Sequence, residues 1–192
     1  MIEFRWGSAT DVGKVRSANQ DQLLVAAPVF VVADGMGGHN GGEVAAAVAV
    51  DEMAKVESVA SVDDLIEAVQ QANREIVDRS KLEPELRGMG TTLVALVGMM
   101  VGEHQRLGIA NVGDSRLYRA TADALVQVTE DHTLVEALVR DGRLTAEEAL
   151  THPQRNIVTR ALGIDEKVLV DTWEIGPVPG DRYLLASDGL FG

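Results

Sequence analysis

The chain has 192 residues, 46% of them hydrophobic, enough to bury the core of one domain. Its formal net charge is −13, and a surface of that sign repels nucleic acid and anionic lipid, so neither is an expected partner. The absence of cysteine excludes a disulfide framework, a cysteine–zinc site and a thiol nucleophile.

Residues 2–9 read as a first strand, and the first 13 residues carry charge without the apolar core and cleavage site of a signal peptide. No apolar run reaches the roughly 20 residues that span a bilayer, so a cytoplasmic location is expected. Residues 23–26 and 29–33 are short apolar runs joined near Pro28, the pattern of a hairpin. The second run ends abruptly at Asp34 and gives way to the glycine cluster Gly35-Met36-Gly37-Gly38-His39-Asn40-Gly41-Gly42. Residues 43–59 are Ala-rich and carboxylate-first, as a helix requires. Residues 62–81 read as a second helix, opened by Ser61 with Asp63 and Asp64 in its first turn.

Beyond Gly88 and Gly90 the pattern turns to strands over residues 91–97, 106–112, 116–120 and 125–129. Short helices are expected over 133–141 and 145–150, then strands over 168–175 and 182–186. This order lacks the strict alternation of a parallel sheet with crossover helices, and it predicts an α+β domain with packed sheets and helices outside. His104 falls at a hairpin tip, and Trp6 and Trp173 read as core residues.

The chemistry-bearing pattern is a carboxylate at the end of an apolar strand. Asp34 leaves residues 29–33 into glycines that let backbone approach a ligand closely, and Asp188 leaves residues 182–186 into Gly189 in the same way. Asp21 and Asp114 sit in comparable settings. A dinucleotide fingerprint fails because Asn40 stands where its third glycine belongs, and a P-loop fails because Val15 stands where Ser or Thr is needed. An isolated Asp-Gly is a turn with a capping aspartate. Four such carboxylates, without Cys or His at ligand spacing, suit hard oxygen-seeking cations such as Mg²⁺ and Mn²⁺. Two of these ions about 4 Å apart activate a water and clamp a phosphoryl oxygen. Arg16 is the candidate phosphate anchor, its planar fork matching two phosphate oxygens. His39 either touches substrate or caps the glycine turn, and His132 and His152 have no ligand spacing between them.

Six motifs in order carry a resemblance. They are Gly13-Lys14-Val15-Arg16 through Asn19-Gln20-Asp21, Asp34-Gly35-Met36-Gly37-Gly38, Gly90-Thr91-Thr92, Gly113-Asp114-Ser115-Arg116, Thr159-Arg160-Ala161-Leu162-Gly163 and Ser187-Asp188-Gly189-Leu190. Together they resemble the bacterial type 2C metal-dependent Ser/Thr protein phosphatases. The resemblance implies a central antiparallel β-sandwich flanked by pairs of helices, four layers in all, with a dinuclear Mn²⁺ or Mg²⁺ centre at one end. In that likeness Asp34 bridges both metals, Gly35 lends a main-chain carbonyl, Asp188 is a further ligand, Asp21 holds metal-bound water and Arg16 binds the phosphate. Residues 134–154 correspond to the flap beside the active site. The implied activity is hydrolysis of phosphoserine and phosphothreonine in proteins by a metal-bridging hydroxide. Phosphoproteins, among them a Ser/Thr kinase and its substrates, are the implied partners.

The sequence departs from the family pattern at three places. Met36 occupies the position where eukaryotic relatives place a histidine, leaving protonation of the leaving group to water or another group. Gly192 stands where many bacterial members carry an aspartate that completes a third metal site with Asp114, so a third ion would be weak or absent. The family continues past Asp-Gly-Leu to an Asp-Asn pair that supplies another ligand, a part missing from a sequence that ends at Gly192. The rival expectation is therefore a non-catalytic or weakly active relative that binds metal or phosphoprotein.

Overall fold

The computed structural model describes residues 2–14, 16–37 and 41–191. Strands β1 (Asp21–Ala26) and β2 (Val29–Met36) form the expected hairpin, and helices α1 (Gly41–Met53) and α2 (Val62–Leu82) follow. Then come β3 (Gly90–Thr91), β4 (Leu93–Val101), β5 (His104–Val112), β6 (Arg116–Ala120) and β7 (Leu125–Gln127). A short helical pair, α3 (Leu134–Arg140) and α4 (Ala146–Thr151), precedes β8 (Asp171–Ile175) and β9 (Arg182–Ala186).

The strands build two antiparallel sheets, one ordered β1-β2-β4-β5-β8 with β3 on β2, the other β7-β6-β9. Period-2 alternation divides the core. Val29, Val31 and Ala33 of β2 face the helices and pack with Ala45, Ala46, Ala49, Leu65 and Val69. Phe30 and Val32 face the other way and meet Leu96, Ile109, Leu117, Tyr183 and Leu185 between the sheets. Layer order is thus helix pair, large sheet, small sheet. Among the described residues no helix pair covers the outer face of the small sheet, where Leu184 stays 43% exposed. No described helix is long and apolar enough to cross a membrane.

Ser61 caps α2 in a reciprocal box: its hydroxyl accepts from Asp64 N at 3.2 Å, and the Asp64 carboxylate accepts from Ser61 N at 3.0 Å. Helix α1 stops at Met53, short of the expected residue 59. The chain turns there so that Val59 enters the core and its carbonyl accepts from Met100 N at 3.3 Å. Strand β8 begins later than expected because the preceding carbonyls are taken by side chains: Gln70 donates to Val168 O and Arg160 to Leu169 O.

Residues 2–9 do not form the expected strand. Their alternation is satisfied by ring contact instead, with Phe4 and Trp6 both against Phe30 at centroid distances of 5.3 and 5.6 Å. They pair with no described strand, although β1 and β9 leave edges free. Trp6 is correspondingly 55% exposed rather than buried, whereas Trp173 packs into the core between the sheets.

Candidate metal centre

The same alternation that buries Phe30 and Val32 carries Asp34 onto the face between the sheets, at the end where apolar residues run out. Asp21 lies directly opposite Asp34 in the β1–β2 register and so shares that face. From the small sheet, Tyr183 and Leu185 point inward and Ser187 continues the period, with Asp188 opening a 3₁₀ turn over Asp188–Leu190. Asp114 sits in the turn joining β5 to β6, where the chain passes from one sheet to the other. Four acidic positions spread over 168 residues of sequence thereby reach one end of the sandwich.

Their electrostatics record the meeting. Burial, and then repulsion from Asp21, Asp188 and Asp114, pushes the Asp34 carboxyl up to about 8, and a hydrogen bond joins it to Asp188. Burial, then Asp188, pushes Asp114 up to about 6, against the pull of Arg116. A cluster of this kind holds uncompensated negative potential that a divalent cation would neutralise.

Asp34 is held from behind by its own backbone. Its N–H donates to Thr92 Oγ1 at 3.0 Å, and its carbonyl accepts from Thr92 N at 2.9 Å and Thr91 Oγ1 at 3.0 Å. Thr92 Oγ1 also meets Ser115 Oγ at 2.7 Å, tying the Asp34 strand to the Asp114 turn. Gly113 keeps that turn close: its φ is +105°, and a Cβ there would lie 2.6 Å from the Thr92 methyl. Replacing Thr92 with Val keeps shape but strands the Asp34 N–H and the Ser115 hydroxyl. Thr92→Val is expected to lower stability by about 2–4 kcal/mol, read by urea denaturation. On the opposite side, Ser187 Oγ donates to Asp21 Oδ2 at 2.6 Å and joins the two sheets at the site.

Two further groups escape a reading of sequence alone. Asp131 grips Arg116 with contacts of 2.7 to 3.0 Å, and the guanidinium stacks 3.8 Å over Phe191, in the same turn as Asp188. Arg116 therefore braces the Asp188 turn rather than facing substrate. His132, 6% exposed, accepts from Gly113 N on Nδ1 at 3.0 Å, so its proton sits on Nε2 and is given to Asp171 Oδ2 at 3.0 Å. Burial, with Arg160 beside it, depresses the His132 pKa and keeps the ring neutral. Arg160 Nη1 lies 3.0 Å from the same Nε2, but both atoms carry protons, and its bond goes to Asp171 Oδ1 at 2.7 Å. Burial works against the Asp171 carboxylate, yet the bonds from His132 and Arg160 outweigh it and hold its pKa below the usual range. Gly113, Arg116 and Arg160 stand in two of the six motifs, but their partners Asp131, His132 and Asp171 stand in none.

The structure gathers Asp21, Asp34, Asp114 and Asp188, but it does not bring Arg16 to them. Arg16 is exposed in the loop before β1 and forms no ion pair among the described residues. Gly35 is buried at the β2–β3 crossing, where a Cβ would lie 2.0 Å from Gly42 O, so only glycine fits. His39 lies outside the described residues. His104 flanks the β4–β5 turn in register with Val101, and His152 ends α4 as its C-cap. Residues 134–154, which the resemblance likens to a flap, contain α3 and α4, capped by Thr133 and Thr145.

Among the described residues no three His, Cys, Asp or Glu side chains stand close enough to hold one ion together. The donor set fits Mn²⁺ or Mg²⁺ nonetheless: all donors are oxygen, Asp34 and Asp188 touch, and such ions take one or two carboxylates while keeping several waters.

A family model for protein phosphatase 2C matches residues 14–191. The serine/threonine phosphatase stp of Listeria innocua is 41% identical over 201 residues, covering 98% of this chain and 77% of that protein. PstP of Mycobacterium tuberculosis is also 41% identical, over 98% of this chain and 37% of that longer protein. The crystal structure of the M. tuberculosis phosphatase superposes with a TM-score of 0.85, covering 97% of this chain and 79% of that one. A PstP catalytic domain in complex with two manganese ions gives 0.83 at 38% identity, covering 97% and 78%. With a family model spanning nearly its whole length and relatives this similar, the chain belongs to the protein phosphatase 2C family.

Proposed function

We propose that this chain hydrolyses phosphoserine and phosphothreonine in proteins as one metal-dependent catalytic domain. Asp34, Asp188, Asp21 and the Gly35 carbonyl would hold two Mn²⁺ or Mg²⁺ ions, Asp114 would hold a third weakly or not at all, and Arg16 would grip the phosphate. The observation that carries the reading is the convergence on Asp34 of carboxylates from both sheets; burial and then their repulsion lift its pKa to about 8. When bound, the ions supply Lewis acidity toward the phosphoryl oxygens and an acidified water.

The chain's own groups set the geometry. Thr91 and Thr92 fix the Asp34 backbone, Ser187 fixes Asp21, and Arg116 with Phe191 fixes the turn of Asp188. Holding these groups in place is the protein's contribution to such a reaction. Arg16, exposed and without an ion pair among the described residues, is free to swing onto an incoming phosphate. Met36 cannot protonate a leaving group, and His132 is sealed behind Gly113, which leaves that proton to water or another group. Physiological substrates are phosphoproteins of the cytoplasm, including those of a Ser/Thr kinase.

The test is phosphate release from a phosphothreonine peptide and from p-nitrophenyl phosphate with Mn²⁺ and with EDTA. Turnover with Mn²⁺ and none with EDTA is expected. Metal binding without turnover would instead make the chain a non-catalytic relative.

A further inference from the structure

The loop after Leu162 is held more firmly than a surface loop requires. Asn73, wholly buried on α2, spends both ends of its amide there: Oδ1 accepts from Gly163 N at 2.8 Å, and Nδ2 donates to Asp165 O at 2.9 Å. Gln70, one turn earlier, donates to Val168 O. Thr91 and Leu162 exchange backbone bonds of 3.1 and 2.9 Å, and the same Thr91 donates to Asp34 O. A buried amide in mid-helix is costly unless bonded. Here its bonds go to a loop anchored to the residue that anchors Asp34.

That rigid loop presents apolar groups outward. Ile164 is 55% and Leu169 68% exposed, and both line a cavity of about 330 Å³. Met36 lines it as well, two residues beyond Asp34 on β2, or about 7 Å along an extended strand. None of the four aspartates lines the cavity, but through Met36 it lies within a few residues' reach of a phosphate bound at Asp34. Arg160 on its wall is already committed to Asp171, and Lys167 and Asp165 carry opposite charges. These charges largely offset one another, which leaves the apolar side chains of Met36, Ile164 and Leu169 to discriminate between occupants. Single exposed apolar residues are ordinary; two on a braced loop around one concavity beside the catalytic carboxylates are not.

We infer that this cavity is a substrate-specificity pocket, taking an apolar side chain within three residues of the phosphorylated Ser or Thr. The inference rests on the phosphatase reading and adds the substrate class to it. Burying a leucine-sized side chain there contributes about tenfold or more in kcat/KM, mostly through KM.

The experiment compares phosphothreonine peptides with Leu or Ser at each of the three positions on either side, with p-nitrophenyl phosphate alongside. The chain is expected to favour Leu at one position by about tenfold or more. Ile164→Ser, and independently Leu169→Ser, should reduce that preference to about twofold or less while phosphopeptide turnover persists. Turnover of p-nitrophenyl phosphate with equal kcat/KM for all peptides overturns the pocket and leaves the phosphatase reading intact. A preference that survives both substitutions also overturns it. No Mn²⁺-dependent turnover of either substrate overturns the phosphatase reading and the pocket together.

Discussion

Asp34→Asn is expected to do two opposite things: to reduce Mn²⁺-dependent turnover by about 10³-fold or more, and to stabilise the metal-free protein. The first follows from losing the carboxylate at the centre of the cluster, where divalent ions would lower the barrier by several kcal/mol. The second follows from the repulsion recorded on Asp34. Its pKa stands near 8 rather than 3.8 because burial and three neighbouring aspartates oppose its charge. An amide has the same shape, carries no charge and can still bond Asp188. At pH 8 the gain should be about 2–4 kcal/mol, a rise in Tm of roughly 5–12 °C for a chain of this size. Thermal melts in EDTA and steady-state kinetics in Mn²⁺ read the two effects separately. An Asp34→Asn protein that melts lower and keeps its activity would contradict both.

Metal-free protein is also expected to lose stability as pH rises from about 4 to 8. In the folded chain the Asp34 carboxyl is pushed up to about 8 and that of Asp114 to about 6, both above the ordinary aspartate value of 3.8. The folded state thus holds protons that the unfolded chain has released throughout that window, and linkage makes stability fall as pH climbs through it. Asp34 alone accounts for a loss on the order of 4–6 kcal/mol by pH 8. Asp171 works the other way: its lowered pKa gives stability that disappears as pH falls below the usual carboxylate range. Mn²⁺ removes the need for those protons, so it should stabilise far more at pH 8 than at pH 5. Urea denaturation at both pH values, with EDTA and with Mn²⁺, checks this. Greater stability at pH 8 than at pH 5 in EDTA would be the contrary result.

What could be read from sequence was whatever local pattern determines. An apolar strand running straight into Asp-Gly marks Asp34 and Asp188, because the hydrophobic period ends where the buried face ends. The glycines after Asp34 were legible as close approach, although their partner was not. Gly35 and Gly42 face each other across a gap that no Cβ fits, a fact of tertiary packing. Helix α2 was legible through Ser61 and Asp64, whose capping chemistry is local. The illegible part depends on meetings between distant segments. His132 matters only because residues 113, 160 and 171 arrive around it, and Asn73 only because the loop after Leu162 folds back onto α2. Residues 2–9 show the same limit from the other side. Their alternation correctly marks an apolar face, but a strand also needs hydrogen bonds to a neighbour, and alternation says nothing of whether they form.

The measurement closest to the central claim is a calorimetric Mn²⁺ titration at pH 7 in two buffers of different ionisation enthalpy. An Asp34 carboxyl that titrates near 8 is mostly protonated at pH 7, so a cation entering the cluster must displace that proton. Binding of two ions with release of close to one proton is the predicted result, and the release should vanish in Asp34→Asn. Absence of binding, or binding with no proton released, would contradict a cation site built around Asp34.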